Sequence, residues 1–200
     1  YVGTGKIRYL IAGLLTGCGA AVFAYKVFSH VRTRVYAWRD PWSIIDKGGY
    51  QITQSLFAIG TGGLFGMGLY QGLPNTIPVA VKDFVFAAMS EEFGMIFDIC
   101  VILICFGSYM SMMRVATRSR DIFYKLVAVG FSTMYIFQCF LTIGGVTKFI
   151  PSTGVTLPFV SYGGSSILCS ILMFAIVQAV FILVKENEGD EAESKEQKKA

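Results

Sequence analysis

The sequence predicts an all-α integral membrane protein: four transmembrane helices plus a long outer loop that carries interfacial or re-entrant helix pieces. Three observations lead there. Of the 200 residues, 54% are hydrophobic and only 15% are charged, against about 25% charged in an ordinary soluble domain; the mean hydropathy is +0.59. The apolar residues are gathered into runs about as long as the roughly 20 residues that a bilayer requires. Two further stretches are apolar yet broken by glycine and proline, which suits backbone that enters a membrane without crossing it.

The spans are expected over residues 7–28, 93–113, 123–145 and 166–184. Gly13, Gly17 and Ala20 or Ala21 give the first of them a small-residue stripe suited to close helix contact. The chain starts at Tyr1 without an initiator Met, a signal peptide or a tag, and so reads as a piece of a larger bundle whose first half is missing.

Orientation follows from Lys and Arg in short loops. Residues 114–125 hold Arg114, Arg118, Arg120 and Lys125 against Asp121 alone, which places that loop in the cytoplasm. Four crossings then put both ends in the cytoplasm and residues 30–92 outside. Lys26, Arg32 and Arg34 beside the outer end of the first span run against a simple count, although a loop of about 60 residues lies at the limit of that rule. Those cations call for another explanation.

The outer stretch is not an ordinary loop. Residues 50–73 are apolar but contain Gly60, Gly62, Gly63, Gly66, Gly68 and Gly72, too many for a stable spanning helix. Helix pieces lying in or dipping into the outer interface are expected. Residues 144–165, with Pro151, Gly154, Pro158, Gly163 and Gly164, form a second such element. Residues 1–184 thus make the membrane domain, and the charge-mixed segment 185–200 is expected to be a disordered cytoplasmic tail.

Several function classes drop out. Cys18, Cys100, Cys105, Cys139 and Cys169 all lie in apolar runs without CxxC spacing, as small packing residues do. His30 is the only histidine, which removes a His-based triad and a His/Cys zinc site. Charges in 30–92 balance, and no broad basic face with interleaved aromatics is present, so nucleic acid is not an expected partner.

Three blocks stand out. The first is Asp40-Pro41-Trp42, followed by Gly49-Tyr50-Gln51 and Gln54-Ser55-Leu56. The second is Lys82-Asp83-Phe84-Val85-Phe86-Ala87, running into Glu91-Glu92-Phe93-Gly94. The third joins Thr153-Gly154-Val155-Thr156-Leu157-Pro158-Phe159 to Val160-Ser161-Tyr162-Gly163-Gly164-Ser165-Ser166. In order and spacing they resemble the pattern DPW…GYQ…QSL, TDFIFA…GEE.G and TG..LPF.SYGGSS of the SEDS peptidoglycan polymerases, the FtsW/RodA/SpoVE family. The resemblance covers nearly everything from Arg32 to Ser166.

It implies the C-terminal part of a ten-helix bundle in the bacterial plasma membrane, of which this chain supplies the last four helices. The family polymerises lipid II into glycan strands at the outer membrane face, working with a class B penicillin-binding protein in division, elongation or sporulation. The proposed catalytic carboxylate of the family maps to Asp83. Substrate contacts are expected from Arg39, Lys82, Gln51, Ser55, Glu91, Glu92, Ser161, Tyr162, Gly163, Gly164 and Ser165.

That chemistry agrees with the residue types. A sugar hydroxyl attacking an anomeric carbon needs one general base, whereas a glycoside hydrolase usually needs two opposed carboxyl groups. The leaving lipid diphosphate needs no proton, only cations or a divalent metal such as Mg or Mn; no organic cofactor is expected. Arg32, Arg34, Arg39 and Lys82 around a single carboxylate fit this and explain the cations on the outer side.

Plainer roles stand beside these. Asp83 either caps a helix starting at Phe84 or acts as the base, or does both. Glu91 and Glu92 mark the membrane boundary or contact substrate or metal, and the arginines anchor lipid headgroups or bind diphosphate. The segment from Ser161 to Ser165 either cradles an anion at a helix start or packs a tight turn. Asp98, inside the second span, is an intramembrane acid or snorkels to the interface. Where the family often has Glu, His and Thr, this chain has Val79, Val81 and Lys82. A lipid-linked-sugar flippase and a non-catalytic division scaffold are the alternatives, and a chain lacking the first half is expected to be inactive alone.

Overall fold

The computed structural model describes residues 3, 5–73 and 76–197. Its elements in order are α1 (Ile7–Val27), α2 (Ser29–Arg39), a 3-10 turn (Trp42–Lys47), α3 (Tyr50–Gly62), α4 (Val85–Phe93), α5 (Met95–Arg118), α6 (Ile122–Val146) and α7 (Gly164–Gln197). The described residues form no strand. Four helices are long and apolar enough to cross a membrane, Ile7–Val27, Met95–Arg118, Ile122–Val146 and Gly164–Gly189, where the sequence places them.

The helical core is an antiparallel hairpin of α5 and α6 with α7 against both. Ala116 and Ala128 are fully buried, and Cys105, Cys139 and Tyr135 fill the seam. Tyr135 meets Phe174 of α7 edge-on with centroids 5.3 Å apart, and Phe174 meets Phe159 in the same way at 5.0 Å. No residue of α1 is buried; a helix apolar on all sides offers its whole surface to lipid or to other helices.

Phe28, in extended conformation (φ −99°, ψ 119°), breaks α1 from the polar α2. Pro41 ends α2, since the residue before a proline is driven out of the α region; Asp40 has φ −141°, ψ 86°. Beyond the 3-10 turn, α3 packs on α4 along a glycine seam. A Cβ on Gly62 would collide with the Ser90 carbonyl, and one on Gly66 with the Glu92 carbonyl. Gly94, at φ 81° and pressed against Gly66, turns α4 into α5.

Of the glycine-rich stretch 50–73, only α3 is helical. The remainder pairs its backbone with the α4–α5 junction: Met67 N–H donates to Glu91 O (2.9 Å), Gly68 N–H to Glu92 O (3.0 Å) and Met95 N–H to Gly63 O (2.9 Å).

The second irregular stretch re-enters the bundle. Residues 147–163 carry no helix, and they run back beside α6. Gln138 Nε2 donates to Thr156 O (2.9 Å) and Thr142 Oγ1 to Val155 O (2.9 Å), about two turns and one turn below the end of α6 respectively. Side chains thereby satisfy backbone that no regular ladder reaches. At the far end α7 continues past Val184 into the charged segment that the sequence marks as a disordered tail. Its Glu, Lys and Ala are good helix formers that extend an already nucleated helix; residues 198–200 of that segment lie outside the described residues.

Candidate functional site

Asp83 stands on a run of turns between the glycine-rich stretch and α4. Lys82 N–H bonds to Val79 O (3.0 Å) and Ala80 N–H to Ile77 O (3.2 Å), while buried Ile77 and Phe84 anchor the segment. The cap role falls away here. Helix α4 starts at Val85 with Phe84 as its N-cap, and no side chain caps it. Among the described residues no group is hydrogen-bonded to the Asp83 carboxylate.

That carboxylate lines a cavity of about 290 Å³ shared with His30 and Arg34 of α2, Gln51 of α3, and Ser152 and Gly154 of the re-entrant stretch. Gly154 has φ 73°, and a Cβ there would lie 3.4 Å from Asp83 Oδ2 and 3.5 Å from Arg34 Nη2. The acid and the guanidinium therefore flank one point, kept open by a missing side chain. Arg34 Nη1 donates to Ser152 O (3.2 Å), and one turn on Trp38 Nε1 donates to Lys148 O (3.0 Å). These two clamps fix α2 against the stretch that carries Gly154. A single uncommitted carboxylate facing a bound cation can accept a proton on one side and hold an anion on the other.

Of the expected substrate-contact residues, only Gln51 joins Asp83 in this cavity. Arg39 lines a separate cavity of about 500 Å³ with Tyr36, Asp40 and Ser43. Lys82 is exposed beside Asp83. Ser55 is fully buried, donates to Ile52 O (2.8 Å) and lies 3.4 Å from Val146 O, tying α3 to the end of α6. Glu91 is buried, and its Oε1 accepts Leu73 N–H at 3.2 Å; Glu92 accepts Gly68 N–H through its carbonyl.

The Ser161–Ser165 segment works as a support. Ser161 is buried, with its Oγ accepting Leu157 N–H at 2.8 Å. Tyr162 N–H donates to Val81 O at 2.8 Å, which pins the turn carrying Asp83. Gly163 lies half-buried, and Gly164 and Ser165 open α7 exposed. Asp98 does not snorkel: it is buried in α5, with Oδ1 unpartnered among the described residues.

His30, Ser152 and Gly154 escaped the sequence reading as site residues, and Arg34 was one cation among several. The signals that mark them are the spacing of Arg34 and Trp38 on one face of α2 and the glycine of the Thr153-Gly154 pair.

Such a site, on a four-span helical scaffold, defines a polytopic membrane protein with an acid–cation pocket at the end of its bundle. The chain belongs to the FtsW/RodA/SpoVE family, whose model, described as a cell cycle protein, matches residues 1–186. It is 41% identical over 180 residues to the peptidoglycan glycosyltransferase RodA of Mycobacterium bovis, covering 90% of this chain and 38% of that protein. An FtsW relative from Saccharophagus degradans is 38% identical over 194 residues, covering 93% of this chain and 49% of the relative. Stage V sporulation protein E of Bacillus subtilis is 40% identical over 146 residues, covering 72% and 40% respectively. The chain thus spans less than half the length of each of these relatives. Among solved structures, a chain from work on polymerization and crosslinking by a peptidoglycan synthase complex superposes with TM-score 0.68 at 23% identity. That match covers 88% of this chain and 49% of the other, and it shows a shared fold.

Proposed function

We propose that the protein of which this chain forms part is a peptidoglycan glycosyltransferase that polymerises lipid II at the extracytoplasmic membrane face. The observation that carries this reading is the convergence of an unbonded Asp83 carboxylate and a clamped Arg34 guanidinium over Gly154. Relatives named as peptidoglycan glycosyltransferases support the reaction class.

In this reading a hydroxyl of the acceptor sugar attacks the anomeric carbon of the donor. The new C–O bond forms as the bond to the lipid diphosphate breaks, with inversion, and the hydroxyl proton passes to Asp83. Arg34 holds the departing diphosphate through charge-assisted hydrogen bonds, and the Gln51 amide orients sugar hydroxyls. A Mg or Mn ion accompanying the diphosphate would take oxygen donors from the Asp83 carboxylate and the Gln51 carboxamide. One carboxylate beside substrate phosphates is a common Mg²⁺ environment, and the ion supplies charge neutralisation. A class B penicillin-binding protein is the expected partner, in keeping with the synthase complex that shares the fold.

The test uses the full-length protein with that partner and labelled lipid II. Wild type makes glycan strands, while Asp83→Ala and Asp83→Asn abolish them at unchanged expression. Strands from both variants would return the protein to the scaffold reading, and lipid II flipping in liposomes without polymer would favour a flippase.

A further inference from the structure

A second cavity, of about 640 Å³, lies between α5 and α7, far along the chain from Asp83, and has no part in the proposed reaction. Its α5 wall runs from Gly107 through Met112 to Arg114 and Arg118, and Phe174 and Phe181 of α7 face it. A Cβ on Gly107 would meet nothing within 4 Å, so that end is open. From Gly107 to Arg118 a helix rises about 16 Å, close to the roughly 15 Å of hydrocarbon in one leaflet. The groove mixes apolar Met112, Phe174 and Phe181 with polar Ser108, Ser111 and Gln178 between mid-bilayer and interface, and two guanidinium groups stand where headgroups lie.

Those cations are available to a ligand. Arg114 Nη2 donates to Ser111 Oγ at 2.9 Å, a neutral partner that leaves the charge uncompensated. Arg118 also borders an adjoining cavity of about 370 Å³, whose lining it shares with the acids Asp121 and Glu188. A protein helix filling the groove would have to meet both guanidinium groups with acids or carbonyls of its own. A lipid of the same leaflet brings both chain and phosphate at the right separation.

We infer that the α5–α7 groove binds one anionic phospholipid, with its acyl chain along Met112, Phe174 and Gly107 and its phosphate between Arg114 and Arg118. Basic pockets between spanning helices select net-anionic headgroups over zwitterionic ones. The site is independent of the glycosyl-transfer reading.

The test reconstitutes the full-length protein in mixed phosphatidylcholine–phosphatidylglycerol vesicles and counts retained lipids by native mass spectrometry. Wild type retains one phosphatidylglycerol in preference to phosphatidylcholine. Each of R114Q and R118Q lowers that retention roughly fivefold, the factor matching about 1 kcal/mol per interfacial cation. Gly107→Leu lowers it with both arginines intact. A photo-cross-linking residue at Gln178, in an otherwise wild-type chain, labels phosphatidylglycerol, which keeps the test open if an arginine variant misfolds. Equal retention of the two lipids, undiminished retention in R114Q and R118Q, or cross-links from position 178 only to protein would each overturn the assignment.

Discussion

Asp83 sits on turns and bonds to nothing in its own backbone, so its replacement should spare the fold and strike the chemistry. Asp83→Asn in the full-length protein should lower polymerisation at least 10²-fold, the usual contribution of a general base, with an unchanged melting temperature. Arg34 offers a sharper test of the site than Arg39. Arg34→Gln should lower kcat/KM about 10-fold or more, with Arg34→Lys in between, because a lysine keeps the charge but loses the fork; Arg39→Gln should leave turnover near wild type. Equal losses at 34 and 39 would undo the placement of the anion at Asp83. Motifs made Asp83 and Gln51 legible, since both lie inside the blocks that resemble the family pattern. The arginine was not legible from proximity to Asp-Pro-Trp. Five residues at 100° each carry Arg39 about 140° around α2 from Arg34, and it is through Arg34 and Trp38 that α2 bonds to the re-entrant stretch.

Among the elements, the spans announce themselves because twenty apolar residues have few alternatives to a membrane helix. The connections do not, because their order comes from partners distant in sequence: Gln138 and Thr142 for the 155–156 backbone, Glu91 and Glu92 for the 67–68 amides. Glycine marks where such approach occurs without saying what approaches. Gly94→Ala should therefore be severe, since it meets both a φ of 81° and the backbone of Gly66; it should lower the yield of folded protein in size-exclusion chromatography. Ser161→Ala orphans the buried Leu157 N–H. A cost of about 1–3 kcal/mol is expected for that loss, read as a lower melting temperature, together with reduced activity as the turn holding Asp83 loosens.

For the whole molecule, the functional reading requires Asp83 and the Arg114–Lys125 loop to lie on opposite sides of the membrane. Four spans place an even number of crossings between the termini, and α5 alone separates position 83 from Arg118. Cysteines introduced at Lys82 and Arg120 in an otherwise cysteine-free parent should react with an impermeant maleimide from opposite sides, Lys82→Cys in intact cells and Arg120→Cys only after permeabilisation. Labelling of both from one side would sink the topology. The bare surface of α1 bears on assembly as well. With no residue of α1 buried against the rest of this chain and less than half of each relative's length spanned, residues 1–200 alone should form no glycan strands from lipid II, whereas the full-length protein should.

The re-entrant stretch has a consequence for exchange of its protons with solvent. Amides in 155–161 belong to no helix, yet the Gln138 carboxamide and the Thr142 hydroxyl hold the stretch by its carbonyls, and Ser161 Oγ accepts the Leu157 N–H. Deuterium uptake should therefore reveal a slow island at Leu157 and Ser161, isolated between two faster margins. That island should persist in detergent for as long as Thr142 and Gln138 keep their grip.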